Sequence, residues 1–299
     1  MITTLTEFDD GSAFERSALA TVYPLLGTNV SRASVDLRNN PASAHVHVFA
    51  VENLGEAARA ALIDQLRPLL FGAAWKTLDL LFELAFHQAN LAPQKSGRWT
   101  IAQKHAHAQA NLGTLTPFSS DSGVWSRLCA LYANTVEARH CLIHRSFQLN
   151  SAGDMTNLRA QNGTAQPDVT SSEQQAFCQV SLGAAHAFLS SQFNPRDRSD
   201  LIWWIDQLTN HHRLGVLGGG SVAQPATIVR VNAELAAQGW TVDLAQARAG
   251  GSIQNAPYFD IEIHFPGTGL PPVTGHLEEA PSDAKVVIDP TTLPQWLHP

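Results

Sequence analysis

The chain has 299 residues, 44% of them hydrophobic and 15% charged, with a formal charge of −7 and a pI near 6.0. That is enough apolar material for one large domain or two modest ones, and it excludes a protein coated in basic charge for indiscriminate binding to nucleic acid or membranes. Any anion site must be local.

Cys129, Cys141 and Cys178 form no CxxC spacing and leave one thiol over in any disulfide scheme, which fits a reducing cytosol. The start "MITTLTEFDDGS" lacks the basic end and apolar run of a secretory signal. Lys76, Asp79 and Glu83 interrupt "LLFGAAWKTLDLLFELAF", so no transmembrane helix and no membrane partner is expected, and the cytoplasm is the expected compartment.

Residues 20–53 have a β texture: "RASVDL" and "AHVHVFAV" alternate around the turn-forming "RNNPAS", which predicts a hairpin. His45 and His47 share one face of the second strand, as either metal ligands or a solvated edge. From Gly55 to about Ser191 the period becomes helical. Lys76, Asp79, Glu83 and His87 mark the polar line of a helix buried on its other sides, and Pro68 predicts a break or kink before it. "TIAQKHAHAQANL" predicts a shorter helix, residues 122–147 a long one, and "SSEQQAFCQVSLGAAHAFLSSQF" another, with Ser171 and Gln174 spaced as a capping box.

Further on, "RDRSDLIWWIDQLTNHH" predicts a helix and "LGVLGGGSVAQPA" a turn or linker without the lysine of a P-loop. The tail predicts a helix over "ATIVRVNAELAAQG", ending at Gly239, then strands over "WTVDL", "YFDIEIHF" and "KVVID". In the middle strand Asp260, Glu262 and His264 share a face, and alternation with Phe259, Ile261, Ile263 and Phe265 explains them as the wet side of a half-buried strand. The expected architecture is mainly α: a β-rich segment at 1–55, an antiparallel helical bundle at 56–195, and a helix with a small α/β or α+β region at 196–299.

Within 122–147, Leu128, Cys129, Tyr132, Val136, Ile143 and Phe147 fall within about 60° of Trp125 on a helical wheel and define an apolar stripe. Arg139 falls inside it, at about −40°, while His140 at about 60° and His144 at about 100° lie on its flank. A guanidinium placed there needs an anionic partner: an internal carboxylate such as Glu83 or Glu137, a partner subunit, or a phosphate.

"RHCLIH", Arg139 to His144, resembles the Arg-x4–6-His motif of the HEPN superfamily, and His140 matches the polar residue that usually follows the arginine. The resemblance covers roughly residues 56–193. It implies a four-helix bundle whose motif helices face each other across a homodimer axis, and a metal-independent, cofactor-free endoribonuclease that leaves 2′,3′-cyclic phosphate and 5′-hydroxyl ends. In that reading His144 moves a proton or activates the 2′-hydroxyl, Arg139 stabilises phosphoryl charge, and His140 orients the cleft. Arg145, with Lys104 and His105 of "KHAHA", would form an RNA-binding rim; a solvent-facing arginine near a helix C-terminus explains the first as readily, and an ordinary exposed helix explains the other two better. A toxin–antitoxin or antiviral role, with an antitoxin or sensor as further partner, is what the resemblance suggests.

Other classes remain open. His140 and His144 at i, i+4 could chelate a metal with His105, His107 or Glu137, although no H-E-x-x-H supplies a base. Cys141 beside His144 could be a nucleophile, though a buried cysteine is more often packing. A bundle serving only dimerisation or ligand binding would be expected to lose the arginine or histidine, and this chain keeps both.

Overall fold

The computed structural model describes residues 2–25, 32–36, 45–49, 56–93, 97–115, 118–144, 146–191, 193–218, 227–252 and 258–299. The chain runs α1 (Leu5–Leu25), β1 (Arg32–Asp36), β2 (His45–Phe49), α2 (Glu56–Gln88), α3 (Ile101–Gln109), α4 (Ser122–His144), β3 (Gln148–Leu149), β4 (Met155–Thr156) and α5 (Ser171–Leu189). It continues through α6 (Pro195–Asp206), α7 (Thr209–His212), β5 (Thr227–Asn232), β6 (Glu234–Ala236), β7 (Gly239–Asp243), α8 (Leu244–Ser252), β8 (Phe259–His264), β9 (Val273–His276), β10 (Lys285–Ile288) and β11 (Leu297–His298). The protein is mainly α. No helix among the described residues is long and apolar enough to cross a membrane.

Two compact units divide the chain, residues 1–29 with 52–220 and residues 30–51 with 221–299. This replaces the three consecutive segments expected from the sequence. Residues 5–25 are a helix rather than part of a β-rich segment, and β1 and β2 belong with the C-terminal strands. Helix α1 forms despite the Asp-Asp-Gly-Ser of its second turn because Phe8, Ser12, Glu15 and Leu19, at i, i+4, i+7 and i+11, are all buried. Tertiary burial outweighs weak local propensity there.

In the first unit α2 packs against α1, α4 and α5. Phe71 meets Phe177 at 4.8 Å, Phe8 meets Phe188 at 5.5 Å, and Trp75 stacks on Tyr132 at 4.8 Å. Pro68 does not divide α2, which is continuous through it. At Gly72 an added Cβ would lie 2.9 Å from Leu142, so glycine lets α4 approach closely. The capping box of α5 is Thr170 with Glu173, one residue before the pair expected from the sequence. The stretch read as one helix from Arg196 is two, α6 and α7, separated at Gln207–Leu208.

In the second unit six strands lie in the order β11-β9-β8-β5-β1-β2, with β5 parallel to both β1 and β8 and the other pairs antiparallel. A separate antiparallel sheet has the order β10-β7-β6. The expected helix over 226–239 is instead β5 and β6, because Val229, Val231 and Ala233 alternate into the core with period two. Gly239, at φ 124°, closes the tight turn from β6 to β7 rather than capping a helix.

Candidate active site

Helix α4 begins where expected, with the Asp121 carboxylate accepting the Val124 amide at 3.2 Å, and its first four turns are buried through Trp125, Leu128, Cys129, Tyr132 and Val136. The stripe then fails: Ile143, expected to be buried, is 52% exposed. Packing at this end shifts to Ala138 and Cys141, whose thiol donates to the Arg159 carbonyl at 3.2 Å. This end of the helix therefore carries Arg139, Ile143, His140 and His144 in order around its axis, Ile143 lying about 40° from Arg139 and about 60° from His140.

Arg139 is half-buried, and its guanidinium carbon lies 5.3 Å from the Trp75 ring centroid. Neither carboxylate proposed for it is used. Glu83 takes Lys104 at 2.9 Å and the Ile2 amide at 3.1 Å, and Glu137 faces His140. Among the described residues Arg139 has no hydrogen-bond or ion-pair partner, so the aromatic face stands where an internal carboxylate was expected. Trp75 is fixed in turn: its indole N–H donates to the Thr135 hydroxyl at 3.2 Å, and its ring stacks on Tyr132. The Tyr132 hydroxyl donates to Asp79 at 2.6 Å. Burial first, and then the Asp79 charge, push its pKa far up, so the phenol stays neutral.

His140 and Glu137 are neighbours at i, i+3, with Nδ1 3.5 Å from Oε2. Both of these atoms are shielded from water and neither has a hydrogen-bond partner. His144 is the last residue of α4 and is exposed, about 140° around the helix from Arg139. One chain thus presents Arg139 and His144 toward different directions. Arg145 lies outside the described residues.

Lys104 does not stand on a rim. It is 3% exposed and clamped between Asp79 at 2.6 Å and Glu83 at 2.9 Å, since α3 turns it inward onto the polar line of α2. His105, next to it, is half-buried, and the His107 ring packs against Phe86 and Trp99 at 5.2 and 5.5 Å. Sequence reasoning missed Trp75, one aromatic residue in an apolar run with nothing to mark it as a platform. Glu137 was visible as a carboxylate for Arg139 or a metal ligand, although its i, i+3 spacing from His140 was the better signal.

Other polar clusters lie apart from this end of α4 in sequence. Glu173 and His211, both buried, are 3.4 Å apart, and Thr170 and Asn210 donate to Glu173. On the sheet of the second unit Glu262 accepts from Arg230 at 3.0 Å and meets His264 at 2.6 Å, while Asp260 meets His276 at 3.0 Å. Ile261 and Ile263 are buried on the opposite face, as the alternation requires. Among the described residues no three His, Cys, Asp or Glu side chains converge to hold a metal ion. Cys129 and Cys178 are buried thiols whose pKa is pushed up by burial, Cys129 to about 12, which removes them as nucleophiles.

Compared with models of protein families, with curated proteins and with solved structures, the chain matches none.

Proposed function

We propose that the first unit is a HEPN-type, metal-independent endoribonuclease whose active site is built around the C-terminal end of α4. The observation that carries this reading is Arg139, a half-buried guanidinium held on an aromatic face with no ion-pair partner among the described residues, on the same helix end as the exposed His144. A fixed fork of donors without an internal counter-charge suits phosphate oxygens. Histidine can serve as acid or base near neutrality. The helices α1, α2, α4 and α5 are the bundle in this reading.

Cleavage proceeds by attack of the ribose 2′-oxygen on the adjacent phosphorus. A base takes the 2′-hydroxyl proton, the O2′–P bond forms, the P–O5′ bond breaks, and an acid protonates the departing 5′-oxygen. Arg139 stabilises the charge on the non-bridging oxygens. Because Arg139 and His144 diverge on one helix, two copies complete the cleft, their α4 ends meeting across a two-fold axis with exposed Ile143 at its centre. RNA is the substrate, and a defence setting with an antitoxin or sensor partner belongs to the same reading.

The test is cleavage of a single-stranded RNA by the purified protein in EDTA. The expected products carry 2′,3′-cyclic phosphate and 5′-hydroxyl ends, and activity falls sharply in His144→Ala and Arg139→Ala. Folded, dimeric protein with no cleavage of any RNA class would leave the bundle as a dimerisation scaffold.

A further inference from the structure

We propose that Glu137 is a positioning residue which fixes the His140 ring, and that His140, through Nε2, moves a proton in the reaction. This inference rests on the ribonuclease reading above and changes the role of His140 within it, from orientation to chemistry.

The geometry begins with two polar atoms that have nothing else to do. Glu137 Oε2 and His140 Nδ1 are both shielded from solvent, both lack a hydrogen bond, and lie 3.5 Å apart. A shielded donor or acceptor left unpaired is costly, so each of these atoms favours a partner. The i, i+3 spacing sets the side chains side by side on α4, and a small side-chain rotation brings the pair into the 2.7–3.2 Å range of an N–H···O bond. The neutral ring then carries its proton on Nδ1, directed at the carboxylate. The lone pair is left on Nε2. His140 is half-buried and that second nitrogen is not among the shielded, unsatisfied atoms, so it is the ring nitrogen left for proton transfer.

His144 lacks this preparation. It is exposed at the helix terminus, with no fixed partner among the described residues. A ring already fixed in tautomer and direction serves proton transfer better than one that must be ordered first. In the resulting step the 2′-hydroxyl proton passes to His140 Nε2 as the O2′–P bond forms. The 5′-oxygen receives its proton from protonated His144 as the P–O5′ bond breaks.

The experiment uses full-length protein labelled with 15N at histidine. The His140 resonances are assigned with His140→Gln, and spectra are read at a pH where the ring is neutral, beside RNA cleavage by the same samples. The Nδ1–H tautomer is expected in the wild type, and the Nε2–H form of a free imidazole in Glu137→Ala. Glu137→Ala should lose about 10- to 100-fold in kcat with KM little changed, a part of the 10²–10⁴ that positioned acid–base groups supply. Glu137→Gln, whose amide oxygen can still accept from Nδ1, should restore the tautomer and part of the rate. An Nε2–H tautomer in the wild type, or full activity in Glu137→Ala, overturns the inference and leaves the ribonuclease reading standing. The expected tautomer in a protein that cleaves no RNA removes the ribonuclease reading, and with it the proton-transfer role of His140, leaving Glu137 only as the residue that orients the ring.

Discussion

The guanidinium of Arg139 lies over the indole of Trp75, 5.3 Å from its centroid, where the polarity of the helix face had called for an ion pair. An aromatic platform holds a cation in place without cancelling its charge, worth about 0.5–2 kcal/mol in such contacts. Arg139→Ala should therefore cost little stability but on the order of 10²–10³ in cleavage rate, as removal of a donor aimed at developing charge does. Arg139→Lys should recover only part, because an ammonium keeps the charge and loses the fork. Urea melts run beside rate measurements separate the two effects, and an Arg139→Ala protein that is unstable yet fully active per folded molecule would make the arginine structural.

Lys104 is expected to behave in the opposite way. Its ammonium is buried between Asp79 and Glu83, and Asp79 also holds Tyr132. Lys104→Ala leaves two carboxylates without their cation and should destabilise the first unit by about 3–5 kcal/mol. Cleavage per folded molecule should be unchanged. Reduced RNA affinity in a stable Lys104→Ala protein would return this residue to the substrate rim.

Much of this was legible in the sequence and some was not. The span of α4, the strands at Trp240, Phe259 and Lys285, and the polar face of Asp260, Glu262 and His264 follow from periodicity alone, since burial on one side imposes a period of 3.6 or 2. Helix α1 was hidden because its second turn reads Asp-Asp-Gly-Ser, turn chemistry that only packing against α2 and α5 overrides. The strands at 227–236 were misread because "AELAAQG" has helical composition while "TIVRV" before it has strand composition, and the sheet decided between them. At the site, the motif residues stood out by type. The platform under Arg139 and the burial of Lys104 depend on which helices become neighbours, and no single helix encodes that.

Acid should destabilise the protein in two windows. Burial raises the pKa of Glu173, but the His211 ring beside it and the Thr170 donors outweigh it and hold the carboxyl at about 2 against an ordinary 4.5. A folded value below the unfolded one gives stability that is complete above about 4.5 and lost as pH falls toward 2, a contribution of about 3 kcal/mol. His212 acts earlier. Burial, then the Arg127 charge, lower its pKa below 6.5, so the unfolded chain takes up the proton first and stability falls once pH drops below 6.5. Unfolding free energies measured in steps from pH 7 to 3 should show both, and Glu173→Gln should flatten only the lower window. A parallel loss in wild type and variant between pH 4.5 and 3 would assign that window to other groups.

Ile143 places an apolar side chain, 52% exposed, between Arg139 and the two histidines. If two α4 ends meet there, Ile143→Glu should shift the protein from dimer to monomer in light scattering at micromolar concentration and abolish cleavage while leaving the helical circular-dichroism signal intact. A wild-type monomer, or a monomeric Ile143→Glu protein of full activity, would rule out a composite cleft.

The most direct test of the central claim is a paired substrate experiment in EDTA: one RNA cleaved by the wild type, and the same RNA with 2′-deoxyribose at the cleavage position. With the 2′-oxygen as nucleophile, the first should give 2′,3′-cyclic phosphate and 5′-hydroxyl ends, and the second should stay intact at that position. His144→Ala should lower the rate on the first by about 10²–10⁴-fold. Cleavage of the deoxy substrate, or full activity in His144→Ala and Arg139→Ala alike, would contradict the account and leave the arginine on its tryptophan as a feature of the fold alone.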